Sequence, residues 1–261
     1  MKKKLAALLV CLSMVVSLTA CGGPASSGSD MEKIKKKGKL IVGITDFAPM
    51  DYKDANGEWV GFDADMAKLV AADLGVTAEF VEIDWDNKIL ELENGSIDCV
   101  WNGMTLTDEV AAAMEVSEAY CNNAQVVVVK SDKASEYNSV DNIKELSFAV
   151  EAGSAGEEVA VENGFNVTAL TSQADTLMEV ESGTSDACII DLLMAGAMIG
   201  DNTSYTDLTH TVELNSEKYV VGCRKGSDLA GFIDNEFKKF KTDGTLEKTA
   251  VTYGVQDALC F

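Results

Sequence analysis

Positive charge, histidine and paired cysteines are what this 261-residue chain has least of. Lysine and arginine together number 21 against 43 acidic residues, a formal charge of −22, and Arg224 is the only arginine. Such a surface repels a phosphate backbone and argues against nucleic acid as a partner. The single histidine, His210, has no evident nucleophile beside it, which weighs against an enzyme. Of the 7 cysteines, Cys11 and Cys21 belong to the N-terminal leader and its end. The others, Cys99, Cys121, Cys188, Cys223 and Cys260, are odd in number and lack C-x-x-C spacing. Neither a disulfide framework nor a metal site is therefore expected, and Cys99 and Cys188, in apolar runs, read as small core residues. The apolar run from Leu5 to Leu18 is too short to be a comfortable membrane span.

What is present starts with an address label. Lys2, Lys3 and Lys4 precede that apolar run, and LTAC closes it, a pattern that resembles the lipobox of bacterial lipoproteins. On that resemblance residues 1–20 are a signal peptide, and Cys21 becomes the acylated, palmitate-bearing first residue on the extracytoplasmic face of the cell membrane. GGPASSGSD then opens a flexible tether expected over residues 21–37. Cleavage removes three lysines and leaves 18 basic against 43 acidic residues, a charge near −25. At 47% hydrophobic, the remainder suits one or two globular domains with a real core.

The stretch IDCVWNGMTLTDEV, Ile97 to Val110, organises the rest. Ile97, Cys99, Val100 and Trp101 form the short apolar run of a strand buried in a parallel sheet, and Gly103 is expected to end it. Thr105, Thr107 and Asp108 then offer helix N-caps, which would leave backbone N–H groups pointing out of this corner. Upstream, KLIVGI reads as a strand, FAPMDYKDANGEWVGF as a loop and hairpin turning at Asn-Gly, and Asp63 to Leu74 as a helix; TAEFVEI is again a strand. Asp86 to Glu93 and Asp108 to about Val116 read as helices, and Gln125 to Val129 as an unbroken apolar strand. A second round follows: LSFAVEAGSAGEE, a strand from Phe165 to Leu170, a helix from Gln173 to Glu181, and DACIID, a strand ending in an acid. ELENGSIDCVWNG and EVESGTSDACIID resemble each other, so two similar α/β lobes are expected to face a cleft fed by the carboxyl ends of their strands.

From Lys39 to Gly254 the pieces VGITDFAPM, DANGEWVGFDADMAKLVAADLG, ENGSIDCVWNGMTLT, SEAY, FAVEAGSAGE, SGTSDACIID, RKGSDL and KTDGTLEK occur in order. Together they resemble the extracytoplasmic solute-binding proteins, family 3, of polar amino-acid ABC importers. The resemblance implies a two-lobed periplasmic-binding-protein fold of the second type, each lobe a mostly parallel sheet flanked by helices. Residues 38–126 with 223–261 would form lobe one and 127–222 lobe two, with Gln125 to Val129 and Lys218 to Cys223 as hinge strands. It further implies a monomer that closes on a small solute and hands it to a membrane permease, without cofactor or metal.

Carried over residue by residue, the resemblance sets Phe47 against the ligand side chain, with Met50 close by and Trp85 as a second wall. Asn102, Gly103 and Thr105, with Met104 among them, would hold an α-carboxylate. Gly153, Ser154 and Ala155 would reach it from lobe two, although Ala155 replaces a family hydroxyl. Asp191 would pair with the α-ammonium. Two departures bear on the ligand. Val110 stands where the family has arginine, removing a fork that grips a carboxylate through two parallel N–H bonds, and Glu151 stands where a neutral residue is usual. An unpaired buried carboxylate costs several kcal/mol, so Asp191 with Glu151 points to a cationic or amine-bearing solute. The other reading keeps an amino acid and lets helix ends near Thr107 and Ser154, or Lys88, replace the arginine. A dehydratase-like enzyme or a sensory module would use the same fold. The lipid anchor has a direct check: Cys21→Ala is expected to abolish palmitate incorporation in a bacterial host and to release the protein from the membrane fraction.

Overall fold

A computed structural model describes residues 29–260; the signal peptide, Cys21 and the start of the tether lie outside the described residues. The tether expected to run to residue 37 stops sooner, because Asp30–Lys37 form a helix, α1. Ser29 caps it by accepting from the Glu32 N–H at 3.2 Å, acids occupy its first turn, Lys35, Lys36 and Lys37 its last, and Ile34 is buried beneath it.

The chain continues through β1 (Lys39–Ile44), the hairpin strands β2 (Tyr52–Lys53) and β3 (Trp59–Val60), α2 (Phe62–Leu74) and β4 (Thr77–Glu82). Next come α3 (Lys88–Asn94), β5 (Cys99–Thr105), α4 (Asp108–Ala113), β6 (Met114–Val116) and β7 (Cys121–Asn123). A second unit holds β8 (Gln125–Lys130), α5 (Val140–Ile143), β9 (Ser147–Glu151), α6 (Ala155–Glu162) and β10 (Asn166–Leu170). It ends with α7 (Gln173–Ser182), β11 (Ala187–Asp191), α8 (Leu192–Met198) and β12 (Leu208–Glu213), before the chain returns in β13 (Glu217–Arg224), α9 (Leu229–Asp243) and α10 (Thr245–Tyr253). Two mixed sheets result, ordered β4-β1-β5-β13-β6, with β7 also on β13, and β10-β9-β11-β8-β12. The adjacent strands β4, β1 and β5, like β10, β9 and β11, run parallel, so the carboxyl ends of each set open to one side. Cys99, Cys121, Cys188 and Cys223 are buried as free thiols.

Three expectations need correction. The helix from Asp108 stops at Ala113, because Met114, Glu115 and Val116 form an edge ladder with Arg224, Cys223 and Gly222, and pairing there outweighs local helix propensity. Gly103 does not end its strand. β5 runs on to Thr105 with Gly103 at φ +55°, and the β13 register shifts opposite it between Val220 and Gly222. Neither expected hinge strand crosses between lobes. β8 lies wholly in the second sheet and β13 wholly in the first, where Glu217 already pairs with Asn123. The crossings are the joints at Ala124 and at residues 214–216, so the 222/223 boundary falls inside β13. An unbroken apolar strand reads the same in sequence whether it bridges lobes or fills the middle of one sheet.

Arg224 is built into this scaffold. Its guanidinium donates to Asp30 at 3.0 Å, to the Ile97 carbonyl at 2.7 Å and to Asp98 at 3.3 Å, tying α1 to the approach to β5. The turn before α2 is tighter still: Gly61 has φ +130°, and a Cβ there would lie 2.1 Å from the Met50 carbonyl oxygen. That carbonyl also accepts from the Asp63 N–H at 3.0 Å, so it cannot move away without losing the helix start. Gly61→Ala is expected to cost more than about 2 kcal/mol of folding free energy, measured by urea unfolding, from backbone strain and the clash together.

Candidate functional site

The carboxyl ends of β5, β9 and β11 meet at a cavity of about 370 Å³ between the two sheets. Of the residues expected there, Phe47, Trp85, Asn102, Gly103, Met104 and Thr105 line it from the first lobe, as does Val110. Glu151, Gly153, Ser154, Ala155 and Asp191 line it from the second. Met50 does not: its side chain is fully buried in the core below, because its backbone serves as the anchor for the start of α2. Val110 packs in an apolar cluster with Trp85, Met104 and Val220, as its side chain dictates.

Each expected carboxylate-holding donor of lobe one has an internal partner. The Asn102 amide donates to the Thr45 carbonyl at 3.1 Å and to Asp51 at 2.8 Å, while its oxygen accepts from Thr45 N–H and Oγ1 at 2.9 and 2.7 Å. The Gly103 N–H donates to Asp63 at 2.7 Å, and the Thr105 hydroxyl to Glu217 at 2.7 Å. Gly103 must be glycine on two counts, its positive φ and the 2.3 Å a Cβ would leave to the Phe47 ring. In lobe two Ser154 caps α6 by accepting from Glu157 N–H at 3.1 Å, and Glu157 reaches back to the Gly153 N–H at 2.7 Å.

Asp191 accepts from Asn123 Nδ2 at 2.5 Å, Gln173 Nε2 at 2.6 Å and Tyr219 Oη at 2.6 Å. Glu151, 3% exposed, turns an oxygen, Oε1, that has no hydrogen-bond partner. Burial pushes the Asp191 carboxyl up to about 7, helped by Glu217, and that of Glu151 up to about 8, helped by Asp191. Lys88 is buried beside them, donating to the Gly153 carbonyl at 2.8 Å and lying 5.1 Å from the Trp85 ring centroid. Burial lowers its ammonium, opposed by Glu109, Glu151, Asp86 and Glu158. Sequence reasoning missed Thr45, Gln173 and the acids Glu109, Glu157, Glu158 and Glu162, which also line the cavity. The S-x-x-E spacing of Ser154 and Glu157 was a readable helix-start signal; the other acids on α6 carry no local mark of a cavity in the sequence.

Residues 40–256 match the profile of the bacterial extracellular solute-binding proteins, family 3. The chain belongs to that family. It is 31% identical over 252 residues to the arginine-binding extracellular protein ArtP of Bacillus subtilis (strain 168), covering 94% of this chain and 96% of that one. An ancestral amino acid-binding protein, a precursor of cyclohexadienyl dehydratase, superposes with TM-score 0.79 at 32% identity, covering 86% of this chain and 99% of its own. An ABC uptake transporter substrate binding protein from Streptococcus pneumoniae with bound histidine gives TM-score 0.80 at 26% identity, covering 90% and 100%.

Titration of this solute-binding protein follows from its buried acids. Burial raises Asp63 to about 7 and, together with Asp63, lifts Asp51 well above the usual carboxylate range. A carboxyl raised in the folded state gives its full stabilisation below the unfolded value of about 4 and loses it as pH rises through the folded value. Thermal unfolding of the solute-free protein is therefore expected several degrees lower at pH 9 than at pH 5, and Glu151→Gln is expected to flatten that slope. A melting temperature that rises over the same interval would contradict the assignment.

Proposed function

We propose that this chain is the substrate-binding component of an ABC importer, taking an amino acid or a related amine-bearing solute between its lobes and presenting the closed form to a membrane permease. Asp191 carries the reading. It is a buried acid at the carboxyl end of β11, on the cavity wall and held by donors from both lobes, where a protonated nitrogen would find a charged acceptor. The arginine and histidine named for its relatives both present such a nitrogen. Phe47, Trp85 and Met104 supply apolar walls for the rest of the molecule.

The protein works outside the cytoplasm, as its family does, and we assign it a lipid anchor at Cys21 and a monomeric state. We read it as a binder and not an enzyme: the single histidine, His210, is exposed on β12, away from the cavity, and the Ser154, Thr105 and Lys88 side chains on the cavity wall are engaged in the scaffold. A ligand touching both lobes favours the closed form by the difference between its affinities for closed and open states. Calorimetric titration of the mature protein with the common amino acids and simple amines is expected to give micromolar or tighter binding of at least one, about −8 kcal/mol or better. Asp191→Asn is expected to weaken that binding about a hundredfold, since it removes the charge facing a desolvated ammonium. Silence across both sets, with the protein folded, would defeat the proposal.

A further inference from the structure

A cleft that receives an amino acid must keep hydrogen-bond donors free for the α-carboxylate. Here four of the donors at the matching positions already hold carboxylates of the protein itself: Gly103 N–H holds Asp63, Thr105 Oγ1 holds Glu217, Gly153 N–H holds Glu157 and Asn102 Nδ2 holds Asp51, all at 2.7–2.8 Å. Lys88, the one cation lining the cavity among the described residues, donates to the Gly153 carbonyl, and Arg224 is fixed in the scaffold. Acceptors are in surplus. Glu151 Oε1 is unpartnered on a side chain 3% exposed that lines the cavity, and Glu109, Glu157, Glu158, Glu162 and Asp191 line it too. The Glu158 carboxyl is raised by burial and then by Glu162 on its own helix and Glu109 of the facing lobe, so like charges meet across the entrance.

From this we infer that the cavity takes a carboxylate-free organic cation, an alkyl diamine or longer polyamine, one ammonium of which donates to Glu151 Oε1. The inference rests on the solute-binding reading and narrows it. An ammonium carries three donors and no acceptor, matching a wall rich in carboxylate oxygens on which the donors of Asn102, Gly103, Thr105 and Gly153 are already engaged. The ligand's second nitrogen relieves the repulsion between Glu109 and Glu158, and its methylenes run along Trp85, Met104 and Val161. An α-carboxylate brought into the same place would meet an acidic wall, Glu109, Glu157, Glu158 and Glu162 besides Glu151 and Asp191, and would compete with internal acids for the donors of Gly103, Thr105 and Gly153.

Protonation supports the same assignment. Asp191 on β11 disfavours the charged form of Glu151, Lys88 on α3 favours it, and Gln173 on α7 donates to it. Beyond Lys88 stand Glu109, Asp86 and Glu158. A cation at Oε1 therefore displaces a proton, and its affinity climbs as pH approaches about 8.

The test compares probes that differ by one carboxylate. The mature wild-type protein is titrated calorimetrically with 1,5-diaminopentane and L-lysine, and with decarboxylated arginine and L-arginine. Each amine is expected to bind at least about tenfold tighter than its amino acid, and more tightly at pH 8 than at pH 6. Glu151→Gln, isosteric and uncharged, is expected to unfold at or above the wild-type temperature yet to lose about a hundredfold in amine affinity, with its pH dependence. Amino acids that bind as well as their amines, or unchanged amine affinity in Glu151→Gln, overturn the inference and leave the solute-binding reading standing. No binding of any amine or amino acid overturns both.

Discussion

The arrangement of the two lobes depends on a cluster of hydrogen bonds where the chain passes between them. Asn123 Nδ2 lies between two acids, 2.5 Å from Asp191 and 2.6 Å from Glu217. Glu217 also accepts from Thr105 of lobe one at 2.7 Å, from Gln125 at the start of lobe two at 2.8 Å and from Asn215 in the returning joint at 3.0 Å. Tyr219 closes the circuit by donating to Asp191 across the lobes. Every crossing of the chain is thus tied to the acid that faces the cavity. A partly satisfied network of this kind is costly, and a fully satisfied one specifies a single geometry.

Beneath the cavity floor a second pair of acids does related work. Asp51 and Asp63 are both fully buried, and each has one oxygen without a partner. Burial and mutual repulsion keep the two from ionising together. Their other oxygens hold Asn102 and Gly103 in place, and Tyr120 donates to Asp63 at 2.7 Å while stacking on Phe237 of α9. The floor is therefore braced against the returning segment, and its polar groups face inward. Desolvating two carboxyls is tolerated because neutral amide, hydroxyl and peptide donors surround them.

Much of this was legible in the sequence, and the limits were physical. Strand identity followed from apolar runs such as Leu40 to Ile44 and Val126 to Val129, and the cavity followed from the strand ends at Thr105, Glu151 and Asp191. Met50 was misplaced because a residue three positions after the cavity-lining Phe47 looks equally able to face in or down; the backbone bonds to α2 decide it. α1 was hidden by the glycine- and serine-rich segment before it, although its Ser29 cap and terminal lysines were there to be read. The hinge joints were hidden because pairing register, which separates β8 from β7 and β12 from β13, leaves no mark on composition. The partners of Gly103, Thr105 and Gly153 come from 40, 112 and 4 residues away, and only the last spacing is a local signal.

The bond from Lys88 to the Gly153 carbonyl joins lobe one to lobe two without using any atom of a solute. Asp86 packs so close to the same glycine that a Cβ there would lie 2.8 Å from its Cα. Such a contact favours closure whether or not the solute reaches it. A net hydrogen bond of about 1 kcal/mol would shift the ratio of closed to open forms about fivefold. Its effect falls on residence time, since the bond must break before a solute can leave. Retention is thus partly a property of an α3 lysine that bridges the lobes beside the cavity.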